Sequence, residues 1–185
     1  MYSNNPPTLA DLLSGLGSIK RKVFVSYHHV DQSAVNVFRD VFSNTLQVFG
    51  DKSLNKPFNS NDTEYVYRKI RENHIHGSSI TIVIIGNETW KRKYVDWELN
   101  ATISKDHAVL GVMLPGITPT LYTDGTYKRL IPDRLFNNHQ AGYAHLIEWP
   151  KTVNDLTVAI DTAINLSKTN SKFKDNSAPL MSRNR

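Results

Sequence analysis

The sequence predicts one α/β domain: a central, mainly parallel sheet with helices on both faces, three layers in all. Two patterns carry this. Short, continuously apolar runs rich in β-branched residues alternate with longer stretches whose apolar residues recur every three or four positions. That alternation calls for parallel strands joined by right-handed helical crossovers. Size agrees, since 185 residues, 39% hydrophobic and 21% charged, make one ordinary globular domain.

The first strand is Lys22-Val23-Phe24-Val25-Ser26-Tyr27, apolar throughout as a strand covered on both faces must be. From Gln32 the period changes. Val35, Val37, Phe38, Val41 and Phe42 form a helical stripe, and Asp31 stands where an N-cap belongs. Gln47-Val48-Phe49 is a short second strand closed by Gly50-Asp51. Residues 52–61, with Pro57 and several Asn and Ser, read as an exposed, mobile loop. A helix follows from Asp62 or Thr63 to about His76-Gly77. Ile80-Thr81-Ile82-Val83-Ile84-Ile85 is the most hydrophobic segment and reads as the central strand, ending at Gly86. Lys93 to Ser104 is a helix with Tyr94, Trp97, Ala101 and Ile103 as apolar positions, and Ala108 to Leu114 is a further buried strand. Residues 117–144 read as irregular, with one short helical turn, because Gly, Pro and Asn recur through them. His145 to Trp149 makes the last strand and Val153 to Leu166 the last helix.

The domain is expected over residues 20–167, with an N-terminal extension at 1–19 and a basic, disordered tail at 168–185. The tail sets the chain's formal charge of +5: Lys168, Lys172, Lys174, Arg183 and Arg185 against Asp175 give +4, leaving about +1 for the rest. Its polar Ser/Asn/Lys composition reads as solubilising and removable, and nucleic acid is not the expected partner. The absence of cysteine excludes disulfides and thiolate metal sites and suits a reducing cytoplasm. No run approaches the ~20 apolar residues of a membrane span. The start of the chain also lacks the charged head of a secretory signal.

In open parallel sheets, ligands bind beyond the carboxyl ends of the strands. Ser26-Tyr27-His28-His29, residues 52–61 and Gly86-Asn87-Glu88-Thr89-Trp90 fall there. On the next helix Tyr94, Trp97 and Glu98 lie within about one turn, so a carboxylate sits beside two large aromatics. Partial desolvation there raises its pKa and sharpens its hold on a ligand hydroxyl. Spacing alone leaves the plainer reading open: an exposed helical carboxylate paired with Arg92 or Lys93, with Trp97 simply core. Glu88 reads as a solvated loop residue, and His28 and His29 as exposed or flanking a ligand. No spacing suggests a metal or a phosphate loop.

Together these segments resemble TIR domains, in particular the bacterial TIR-like family typified by the signal-producing component of Thoeris anti-phage defence. The resemblance lies in Val23-Phe24-Val25-Ser26-Tyr27-His28 followed by Asp31, and in Val35-Asn36-Val37-Phe38-Arg39. It continues in Ile84-Ile85-Gly86 with Thr89, Arg92, Lys93, Val95 and Trp97-Glu98-Leu99, the most specific match. A late Gly142-Tyr143-Ala144 before Glu148-Trp149-Pro150 extends it. It implies a flavodoxin-like, TIR-type sandwich and NAD⁺ as substrate rather than as a bound cofactor. Nicotinamide would be released, and the remaining ADP-ribose would either be hydrolysed free or, as in some such enzymes, be closed into a cyclic signal for a downstream effector protein. It also implies self-association through the loop at 52–61. Glu98 takes the place of the catalytic glutamate. Phe24, Ser26, Tyr27, His28, Asn36, Tyr94 and Trp97 would bind substrate, with Tyr94 standing where the family usually has Trp. The alternative is a TIR module that only self-associates. A phosphoacceptor receiver of similar fold is set aside, because strand one is not followed by paired acids. A deoxyribosyltransferase-like enzyme, also using a carboxylate at a glycosidic carbon, remains.

Overall fold

The structure, a computed structural model, describes residues 21–49, 75, 77–117 and 130–185. The loop expected at 52–61, the helix expected after it and the N-terminal extension lie outside the described residues. Five strands form one sheet: β1 (Arg21–Ser26), β2 (Leu46–Phe49), β3 (Ile80–Ile85), β4 (Ala108–Met113) and β5 (His145–Ile147). Their order is β2-β1-β3-β4-β5, and every neighbouring pair is parallel. This is the flavodoxin-like order. Four described helices flank it: α1 (Gln32–Val41), α2 (Lys93–Ser104), α3 (Asp133–Gln140) and α4 (Val153–Thr169).

Alternation along the strands divides the core in two. Val23 and Val25 of β1 and Ile80, Ile82 and Ile84 of β3 meet Val35 and Phe38 of α1 and Leu156, Ile160 and Ala163 of α4. On the opposite face, Val83 and Ile85 meet Val95, Leu99 and Ile103 of α2 and Leu135 of α3. Every residue of β3 is buried, which is why that strand reads as an unbroken apolar run. Gly111 of β4 is held small by packing: a Cβ there would stand 2.3 Å from Leu146 and 3.0 Å from Leu135.

Helix α4 starts on a capping box. Thr152 accepts from the Asp155 N–H, and the Asp155 carboxylate accepts from the Thr152 N–H. Asp31 precedes α1 as expected, yet its side chain makes no capping bond.

Two expectations need correction. Part of the stretch read as irregular is α3, eight residues long, with Arg134, Leu135 and Asn138 as its buried positions. The tail is not disordered. Beyond α4 the chain makes a 3-10 turn at Ser171–Phe173 and then crosses α2 and α3. Asn138 exchanges hydrogen bonds with the Asp175 backbone at 2.6 and 2.9 Å. Arg134, 2% exposed, bonds to Asn176 and to the carbonyls of Ala178 and Pro179. Leu180 is the tail's apolar foothold, against Phe24, Trp97 and Ala101. The tail is held mainly by polar bonds, which a count of apolar residues does not register.

Candidate active site

The chain runs from β1 outward to β2, then returns past β1 to β3, so the topological switch point lies between the carboxyl ends of β1 and β3. Ser26, the last residue of β1, is opposite Val83 of β3 and is 1% exposed. Its hydroxyl donates 2.6 Å to Glu98 Oε2, and Glu98 is itself only 4% exposed. Burial pushes the Glu98 carboxyl up to about 8, against the opposing pull of the Ser26 hydroxyl. Below that pH the resting site holds a neutral acid that has already lost its water shell.

The backbone under Glu98 is tied to the sheet. Thr102 Oγ1 donates 2.7 Å to the Glu98 carbonyl and lies 2.7 Å from Thr81 Oγ1 of β3. One hydroxyl carries one hydrogen, so Thr81 is the donor between the two threonines. Both are fully buried, and this pair holds the Glu98 turn of α2 against the central strand.

The plainer reading of Glu98 does not hold. Arg92 bonds Glu88 at 3.2 Å and Lys91 bonds it at 2.9 Å. Lys93 lies over the Tyr94 and Trp97 rings, at 5.1 and 5.4 Å. Glu88 is thus the ion-pairing acid and Glu98 the buried one.

The other predicted residues divide by face. Phe24 packs against Trp97 and Ala101 on the α2 side, with half-buried Tyr94 edge-on to Trp97 at 5.5 Å. Trp97 is 3% exposed, and its indole N–H is taken by the Met181 carbonyl at 2.9 Å. Its ring packs against Phe24, and its donor is used within the protein. Tyr27 and Asn36 stand across the sheet. Tyr27 packs with the α1 core and donates 2.6 Å to Gln32, whose amide donates 2.8 Å to Asn36. They belong to a second polar group at this edge, on the face opposite Glu98.

His28, 6% exposed, closes the end of β1. Burial, then the nearby charges of Arg92 and His29, lower it to about 4, so it is a neutral imidazole. Beside it Asp31, instead of capping α1, turns its carboxylate onto Gly86 at the end of β3. A Cβ on Gly86 would lie 2.4 Å from Asp31 Oδ2, an oxygen sealed from solvent that has no hydrogen-bond partner among the described residues. Burial raises the Asp31 carboxyl, opposed by the Thr89 hydroxyl, His29 and Arg92. Thr89 also accepts the Gly86 N–H at 2.9 Å, which fixes the turn between β3 and α2.

Sequence reasoning missed three contributors: the Thr81–Thr102 pair, Asp31 against Gly86, and the buried pair of Asp96 with Arg134 at 2.9 Å. Only Asp31 carried a local signal, and it pointed to a cap. Among the described residues no three His, Asp or Glu side chains converge as a metal site, and no helix is long and apolar enough to cross a membrane.

Residues 24–118 match the family model described as Thoeris protein ThsB, TIR-like domain, 95 of the chain's 185 residues. The match contains Ser26, Gly86 and Glu98. No curated protein matches the chain.

Proposed function

The chain belongs to the TIR-like domain family of Thoeris protein ThsB, and on that footing we propose that it cleaves NAD⁺ at the bond between nicotinamide and ribose. A ribose hydroxyl or base nitrogen of the same molecule then bonds to C1′ in place of water and gives its proton to solvent. This closes the remaining ADP-ribose into a cyclic signal that activates a partner effector in anti-phage defence. The observation that supports this reading is the buried Glu98–Ser26 pair at the switch point of the sheet. A carboxyl placed there, dry and aimed at the crevice edge, is suited to a sugar ring that becomes positively charged as its bond breaks.

The chemistry follows from the charges. The C1′–N bond breaks with its electron pair moving to the ring nitrogen, so nicotinamide leaves neutral and no general acid is needed. Positive charge passes to the ribose C1′ and its ring oxygen. Glu98 is neutral in the resting site, but the cationic N-ribosylpyridinium favours the carboxylate, so substrate binding releases the Glu98 proton to bulk water. Glu98 then faces the developing oxocarbenium ion and holds ribose hydroxyls, with Ser26 fixing its orientation. Phe24 and Trp97 keep water from that side.

Incubating the purified chain with NAD⁺, alone and with lysate of phage-infected cells, tests the reading by mass spectrometry. The expected products are nicotinamide and either ADP-ribose or a cyclic product lighter than ADP-ribose by the elements of water. Intact NAD⁺ under both conditions would instead favour a non-catalytic module acting by self-association.

A further inference from the structure

The helix that carries Glu98 does not cap itself. Arg92 stands at its N-cap position with no side-chain bond to the first turn. The first turn's N–H groups therefore need partners from elsewhere. The C-terminal segment supplies one: Asn184 Oδ1 accepts the Lys93 N–H at 3.0 Å. Three more bonds join the same two segments. The Arg185 N–H donates 3.1 Å to the Lys91 carbonyl, and the Met181 N–H donates 3.0 Å to Asp96 Oδ2. The Met181 carbonyl accepts the Trp97 indole N–H. Residues 91–97, the lead-in to Glu98, are thus hydrogen-bonded along their length to residues 181–185.

The anchorage behind this strap is buried. Asp96 uses one carboxylate oxygen for Met181 and the other for Arg134, whose guanidinium also holds Asn176 and the carbonyls of Ala178 and Pro179. Charged groups so thoroughly partnered make a permanent clamp, since removing any member leaves another desolvated.

We propose that residues 181–185 position the Glu98 helix from its outer side, with Asn184 as an N-cap supplied from 91 residues away and Met181 as the clamp on its Trp97 face. Ser26 and the Thr81–Thr102 pair fix Glu98 from the sheet side, and the strap fixes it from the other. Asn184 and Trp97 then act on the carboxyl through α2. A frayed first turn would admit water to a group whose proton affinity depends on being dry.

The meaning for catalysis rests on Glu98 being the reacting carboxylate, but the test does not. The Glu98 side chain is titrated by carbon NMR in the full chain without NAD⁺, assigned by its loss in Glu98→Gln. Asn184→Ala removes the cap, and Trp97→Phe removes the indole donor while keeping an aromatic ring. Asn170→Ala is the control: it breaks a bond to the Gly142 carbonyl at the base of the strap and does not touch 91–97. Asn184→Ala and Trp97→Phe should each lower the Glu98 midpoint by about half a pH unit or more, roughly threefold in proton affinity, while Asn170→Ala leaves it in place. An unmoved midpoint in folded Asn184→Ala protein would overturn the proposal, as would an equal shift in Asn170→Ala. Should Trp97→Phe not fold, Asn184→Ala carries the test alone. An inactive protein with a shifted midpoint would sink the enzyme reading and leave this one standing.

Discussion

At the scale of single residues, the buried acid has a consequence for stability that is separate from catalysis. Glu98 has an ordinary value of 4.5 when exposed and about 8 in the fold. The folded state therefore holds the proton more tightly. The associated stability is fully present below pH 4.5 and is lost as pH rises through 8. Glu98→Gln has no proton to lose. Its unfolding free energy should gain on that of the wild type as pH rises from about 5 to 8, by a few kcal/mol at most, with its melting temperature rising in step, and the gap should be flat above that. Melting curves that stay parallel across the range would mean that Glu98 is hydrated in solution. A second residue-scale prediction concerns Asp31 and Gly86. Gly86→Ala puts a methyl group where the Asp31 carboxylate rests, and should destabilise by about 1–3 kcal/mol. Asp31→Ala in the same chain should recover most of that loss, because the two changes share one contact. Strict additivity in urea unfolding would show that the carboxylate simply swings away.

At the scale of elements, Arg134 is the test of the strap. Arg134→Met removes the partner of buried Asp96 together with the anchors at Asn176, Ala178 and Pro179. Breaking a buried pair from one side costs about 3–5 kcal/mol. Urea unfolding of the variant should show that loss. A change below about 1 kcal/mol would mean the tail rests on the domain without holding it. The same place marks where the sequence stops being legible. β3 and α2 have the bounds their patterns predict, because an unbroken apolar run and a helical stripe each bury side chains that announce themselves. α3 and the tail hide one another. The helix buries Arg134 and Asn138, which hold tail backbone groups, Arg134 also pairing with Asp96 and Asn176, and the tail lies ordered on those side chains. Each segment carries only one or two apolar anchors, Leu135 with Phe136 in α3 and Leu180 in the tail, so each alone reads as irregular. The site divides similarly. A central strand and the helix after it suffice to put Glu98 near the sheet edge, and Ser26 falls beside it because β1 and β3 are neighbours. Tyr27 is one residue further along a strand and so faces the other way, with Asn36 beside it. A list of pocket residues drawn from one motif cannot separate the two faces.

For the whole molecule, strand order sets where Glu98 stands. In an all-parallel sheet of order β2-β1-β3-β4-β5, the chain reverses direction only between β1 and β3, the place where open α/β sheets generally bind ligands. Glu98 reaches the carboxyl end of β1 from α2, braced by the sheet on one side and by residues 181–185 on the other. If it stabilises an oxocarbenium ion, Glu98→Gln keeps the shape and loses the charge. Losing one such electrostatic contact costs about 2.7–4 kcal/mol, or roughly 10²–10³ in rate. The most direct measurement is nicotinamide release from NAD⁺ by wild-type and Glu98→Gln protein, under whichever condition activates the wild type, with thermal melting of the same samples. The account predicts a rate lower by roughly 10²–10³ in a variant that melts no lower than wild type. Near-wild-type release by well-folded Glu98→Gln protein would contradict it.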